Sequence, residues 1–194
     1  MGRSPVLAAA SLAAAFAFDA LPGRAQDLTE RLAPCLACHG EKGTSSTPEV
    51  PSLGGQPASF LLIQLYQFRE KQRIAPPMND LAAGLTDDDL RAFSDELAKL
   101  PPPAPSPEPA DPTLMAAGQI AAQRHRCGSC HNPDMSGHDQ IGRIGAQRED
   151  YLAKALAEYK SGERRGYDPA MVEIAVAMTP AEIAAVSHYL ARWK

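Results

Sequence analysis

The sequence predicts an all-α protein built as two tandem copies of one small domain. Three observations carry this. The motif CLACH at residues 35–39 returns as CGSCH at residues 127–131, and the two copies contain all four cysteines of the 194-residue chain. The stretch that follows each motif repeats as well. LGGQPASFLLIQLYQFREKQR from Leu53 aligns with IGAQREDYLAKALAEYKSGER from Ile144, and MNDLAAGLTDDDL from Met78 aligns with MVEIAVAMTPAEI from Met171. Apolar residues recur near the helical period in both copies, and no strand signal is found.

Taken in chain order, residues 1–25 read as a secretory signal. Arg3 supplies the positive n-region, residues 6–18 (VLAAASLAAAFAF) are apolar but too short to span a bilayer, and a cut is expected between Ala25 and Gln26. An uncleaved membrane anchor is the rival reading. Residues 26–100 form the first domain, residues 101–112 a linker, and residues 113–194 the second domain. Short helices over residues 27–36 and 113–125 lead into the two motifs. The middle helix of the first copy presents Phe60, Leu61, Ile63, Leu65 and Phe68 on one face, and its counterpart presents Tyr151, Leu152, Ala155, Leu156 and Tyr159. The last helices start at Thr86 and Thr179, with Asp89 and Glu182 three residues on as capping-box partners and Pro180 in the first turn. The linker, PPPAPSPEPADP, holds seven prolines in twelve positions and favours extended polyproline. Fully stretched it reaches about 37 Å.

The motif spacing is that of covalent c-type haem attachment. Cys35 and Cys38 in the first domain, and Cys127 and Cys130 in the second, supply the thiols that add across the haem vinyl groups. His39 and His131 then fall under the iron as proximal ligands. Two Cys-x-x-Cys pairs also suit a four-thiolate zinc site, one pair suits a thioredoxin-like motif, and an exported chain suits disulfides. None of these needs a histidine directly after both pairs. Each domain, near 75 to 80 residues, is marginal on apolar burial alone, so a haem at its centre would complete the core.

Met78 and Met171 both sit in the frame Met-x-x-x-Ala-x-x-(Leu or Met)-Thr ahead of a terminal helix, which makes them the expected distal iron ligands. Met178 falls where Leu85 does and is expected to pack. A thioether opposite an imidazole stabilises ferrous iron and raises the potential. His125, His138 and His188 are the alternatives to Met171. Arg73 and Arg164 are candidates to pair with haem propionates, a solvated face being the other reading, and Trp193 is expected to pack the last helix on the first helix of its domain.

Without residues 1–25 the chain has 17 Lys and Arg against 22 Asp and Glu, so no basic stripe is available for nucleic acid. The acidic excess lies in residues 26–100, where Asp87, Asp88 and Asp89 mark a docking face for a basic partner.

In these motifs the whole chain after the signal resembles a two-domain dihaem class I cytochrome c, similar to the bacterial cytochrome c-four family. That resemblance implies two covalently bound haem c groups, two lobes related by a pseudo-twofold axis in tight contact, and a periplasmic electron-shuttling role. It also implies a proline ahead of Gly-x-Gln whose carbonyl accepts the proximal imidazole N–H. Pro51 fits, whereas the second copy has Gly142, which leaves His131 expected to be held less firmly. The long proline linker is a second departure.

The leading function is single-electron transfer between a respiratory donor, either a quinol-oxidising complex or a dehydrogenase, and a terminal acceptor such as an oxidase. The membrane is reached only through partner complexes. The alternative is the cytochrome subunit of a flavin-, molybdenum- or quinone-dependent dehydrogenase. A dihaem peroxidase or thiosulfate dehydrogenase in its own right comes third, since peroxidases are longer and no thiol is spare.

Overall fold

A computed structural model describes residues 1–2, 23–164 and 169–194. Most of the expected signal segment, residues 3–22, lies outside the described residues. The described backbone forms nine α-helices and no strand, only an isolated bridge between His138 and Ile141.

In the first lobe α1 (Gly23–His39) carries the first motif on its last turn, and α2 (Ala58–Arg69), α3 (Met78–Ala82) and α4 (Asp87–Ala98) follow. In the second lobe the corresponding segment is split into α5 (Pro112–Arg124) and the single turn α6 (Cys127–Cys130). Arg126, left-handed at φ 54°, makes the break. Then come α7 (Glu149–Ser161), α8 (Ala170–Ala177) and α9 (Pro180–Ala191). Both expected capping boxes form: Thr86 with Asp89, and Thr179 with Glu182. Each satisfies two backbone N–H groups at a helix start.

Two hydrophobic clusters result. Leu32, Leu61, Leu65, Leu90, Phe93 and Leu97 fill the first lobe. Ala121, Ala122, Met135, Leu152, Met178, Ile183, Val186 and Leu190 fill the second. Helix packing stays within each lobe: α2 on α3 and α4, and α9 on α5 and α7. The α5–α9 crossing is close because Gly118 has no side chain; a Cβ there would lie 2.2 Å from the Ala185 carbonyl oxygen. Tyr189, not Trp193, covers this glycine. Trp193 stacks edge-on to Tyr189 and lies over Gly145. Among the described residues no single helix is long and apolar enough to cross a membrane.

Loops join the lobes, in a reciprocal pattern. The Gln147 side chain accepts from the Ser52 amide and donates to the Ser52 carbonyl, both at 2.8 Å. The Gln56 side chain accepts from the Arg143 amide at 2.9 Å and donates to the Arg143 carbonyl at 3.0 Å. Gln56 and Gln147 are repeat counterparts, as are Ser52 and Arg143, so the two pairs express the pseudo-twofold relation directly. Both glutamines are buried. Arg148 adds a bond to the Ser45 carbonyl at 3.1 Å, and Lys154 an ion pair with Glu49 at 2.8 Å.

The linker does not hang free. Gly55 donates to the Leu100 carbonyl and Ser106 to the Ala191 carbonyl, and a Cβ on Gly54 would meet the Pro101 carbonyl at 2.0 Å. The segment is a strap across both lobes, and its carbonyls and amides find partners on the lobe surfaces.

Gln147→Ala leaves the Ser52 amide and carbonyl buried without partners, so it should cost about 1–3 kcal/mol. Urea unfolding followed by helix signal checks this, with Gln119→Ala, an exposed position on α5, as the smaller change.

Candidate functional site

Each motif histidine is held by its ring. His39 Nδ1 lies 2.8 Å from the Pro51 carbonyl oxygen and His131 Nδ1 lies 2.7 Å from that of Gly142. A carbonyl only accepts, so each Nδ1 carries the proton and donates it, leaving an Nε2 lone pair. Burial pushes both imidazoles below their ordinary value, the carbonyl bonds opposing it. Neutral rings with a free Nε2 are what an iron requires.

The expected weakness at His131 is therefore corrected. Any residue offers a backbone carbonyl, and Gly142 does so as well as Pro51. Glycine stands there for a steric reason, since a Cβ would come within 2.9 Å of the Phe60 ring from the other lobe.

Among the described residues no two of the four cysteines are joined in a disulfide. Cys35 and Cys127 are half-buried and burial raises their thiols, while Cys38 and Cys130 are exposed. No three His, Cys, Asp or Glu side chains among the described residues converge on one point, so the four cysteines do not form the zinc site weighed above.

The three methionines of the repeat frame differ in placement. Met78, half-buried at the start of α3, packs on the first cluster together with Cys35 and Leu36. Met171 is half-buried at the start of α8 and is not among the residues packed on the second cluster. Met178, by contrast, is 2% exposed inside that cluster. The alternative ligands are occupied elsewhere. His188 contacts the Asp111 amide and Glu149, His125 lies 3.4 Å from Glu182, and His138 lies 3.2 Å from Asp139.

Arg73 and Arg164 are not on a solvated face. They are 8% and 5% exposed, and each stacks on an aromatic ring of its own lobe, Phe68 at 4.7 Å and Tyr159 at 4.8 Å. Arg164 donates to the Tyr151 hydroxyl at 3.1 Å, and Arg73 reaches the same hydroxyl from the other lobe. Burial pushes the Tyr151 phenol up, but the two guanidiniums outweigh it and bring it down to about 8. Among the described residues neither guanidinium has a carboxylate partner. Buried cations without anions are costly, so this cluster suits a group that brings carboxylates.

Comparison with known proteins gives the family. A protein named cytochrome c4 from Pseudomonas aeruginosa is 34% identical over 183 residues, covering 89% of this chain and 87% of its own. The chain belongs to the cytochrome c4 family. The crystal structure of reduced recombinant cytochrome c4 from Pseudomonas stutzeri superposes with a TM-score of 0.78 at 26% identity, covering 89% of this chain and all of that one. A thiosulfate dehydrogenase electron acceptor from Thiomonas intermedia is 32% identical over 200 residues, covering 96% of this chain and 89% of its own. No family model matches the chain.

Cytochrome c4 proteins bind two covalent haem c groups and carry electrons, and the donor set found here fits that chemistry once per lobe. Sequence reasoning named Cys35, Cys38, Cys127 and Cys130, His39 and His131, and Met78 and Met171 as the candidate donors. It used Gln56 and Gln147 only as alignment markers and missed their exchange across the lobes; two buried polar residues at matched positions were the available signal.

The oxidised protein should show the weak far-red band of methionine bound to ferric haem. Met78→Ala and Met171→Ala should each remove roughly half of it. Met178→Ala should keep it while costing about 2–5 kcal/mol in unfolding experiments, as a cavity in a packed core does.

Proposed function

We propose that this dihaem electron-transfer cytochrome is a periplasmic shuttle, passing single electrons from a quinol-oxidising complex or dehydrogenase to a terminal acceptor such as an oxidase. The observation that carries the reading is the doubled imidazole–carbonyl arrangement with a methionine in the matching frame of each lobe. Export would follow from residues 1–25 acting as a cleaved signal.

In this reading Cys35, Cys38, Cys127 and Cys130 hold the haems, and His39 with Met78, and His131 with Met171, ligate the irons. The haem irons supply one-electron exchange; the protein does the rest. The carbonyls of Pro51 and Gly142 make the imidazoles more basic and fix their planes. The thioethers favour the ferrous state. Arg73 and Arg164 receive propionate carboxylates at the lobe boundary as planar forks. The glutamine exchange keeps the lobes in one arrangement, so the path between irons does not vary.

A second reading is favoured by one observation, the likeness to a protein named for accepting electrons from thiosulfate dehydrogenase. There the chain would serve one dehydrogenase as dedicated acceptor or subunit.

The acidic docking face needs revision. Each of its three carboxylates has a cation: Asp87 with Arg69, Asp88 with Arg91, and Asp89 with Arg31. Asp89 also caps α4, and these bonds hold its carboxyl well below the usual range. Only Asp87 and Asp88 are exposed enough to meet a partner. The test is electron-transfer rate to the cell's own membranes against ionic strength, for wild type and for Asp87→Asn with Asp88→Asn. A shuttle docking there loses roughly tenfold in rate with added salt, and the variant starts slower with a flatter profile. A rate indifferent to both, with a catalytic chain co-purifying, transfers the assignment to the subunit reading.

A further inference from the structure

The strap between the lobes ends on a buried histidine whose chemistry the electron-transfer reading does not use. His188 lies on α9 and is 5% exposed. Its Nε2 accepts from the Asp111 amide at 3.0 Å. An amide N–H is only a donor, so this nitrogen has a lone pair and the ring proton sits on Nδ1, facing Glu149 Oε1 at 3.1 Å.

Arg192, one turn along α9, completes the cluster. Its Nη1 lies 3.0 Å from His188 Nδ1, but donates to Glu149 Oε2 at 2.6 Å and to the His188 carbonyl at 3.1 Å. Its Nε and Nη2 reach the Glu108 and Pro109 carbonyls of the strap, each at 3.3 Å. Nearer lobe 1, the Ser106 amide is fixed to the Ala191 carbonyl at 2.8 Å. Residues 107–111 are thus held between one firm bond at Ser106 and the imidazole at Asp111.

We propose that His188 is a protonation-controlled catch for the strap: the neutral ring holds residues 107–111 on α9, and the imidazolium releases them. A proton on Nε2 would point at the Asp111 N–H, donor against donor, and the bond would be lost. Three charges face the ring. Glu149 comes from α7 and Arg192 from the C-cap of α9. The third is the Asp111 carboxylate on the strap, which is committed to the Thr113 and Leu114 amides as the cap of α5. The two long Arg192 bonds to the strap do not replace the lost one. The glutamine exchange between lobes involves none of these groups, so release frees the covalent tie without separating the lobes. Because the bound form is the neutral ring, the contact is present at higher pH and lost as pH falls.

Amide hydrogen exchange at Asp111 in the full haem-loaded chain tests this, at about pH 8 and about pH 5, corrected for intrinsic exchange. Wild-type protection should fall by roughly tenfold at the lower pH, the worth of one lost hydrogen bond. His188→Gln offers a carbonyl that accepts the same amide without titrating, and should keep its protection at both. His188→Ala should lack it at both. Equal protection of the wild type at the two pH values, or the same loss in His188→Gln, overturns the proposal.

Discussion

A motif histidine presents Nε2 to an iron only while something holds its Nδ1 proton, and here the holder is a backbone carbonyl, from Pro51 in one lobe and Gly142 in the other. The N–H of that same peptide unit, on Ser52 and on Arg143, donates to the glutamine of the opposite lobe. One short loop per lobe therefore sets the motif histidine on one side and the lobe contact on the other. Because a hydrogen bond inside the protein is costly to leave unmade, neither role can shift without the other. Phe60 against Gly142 and the Arg73–Tyr151–Arg164 cluster lie along the same boundary and depend on the same placement.

Much of this was legible in the sequence because it was stated twice. The Cys-x-x-Cys-His motifs, the helical faces and the capping boxes are local signals, and duplication turned Met78 and Met171 into ligand candidates while assigning Met178 to packing. Helix boundaries moved little: residues 113–125 became Pro112–Arg124. The first helix extended to Gly23 and through the motif to His39.

What the sequence did not disclose is non-local. Gly142 looks like a lost proline until the Phe60 ring of the other lobe is seen to occupy the space. Seven prolines marked a linker, but proline fixes only backbone shape, and the strap is held by carbonyls and amides that any sequence carries. Arg73 and Arg164 gave no hint of burial, since the tyrosine they share lies 78 and 13 positions away. Asp87, Asp88 and Asp89 read as an acidic patch by count, whereas folding brings an arginine to each.

The account rests on two haems held covalently by one chain. Intact mass of the protein after acid–acetone extraction measures this directly. Two haem masses retained per chain is the predicted result. A chain that loses them, retains only one, or carries zinc in their place contradicts it.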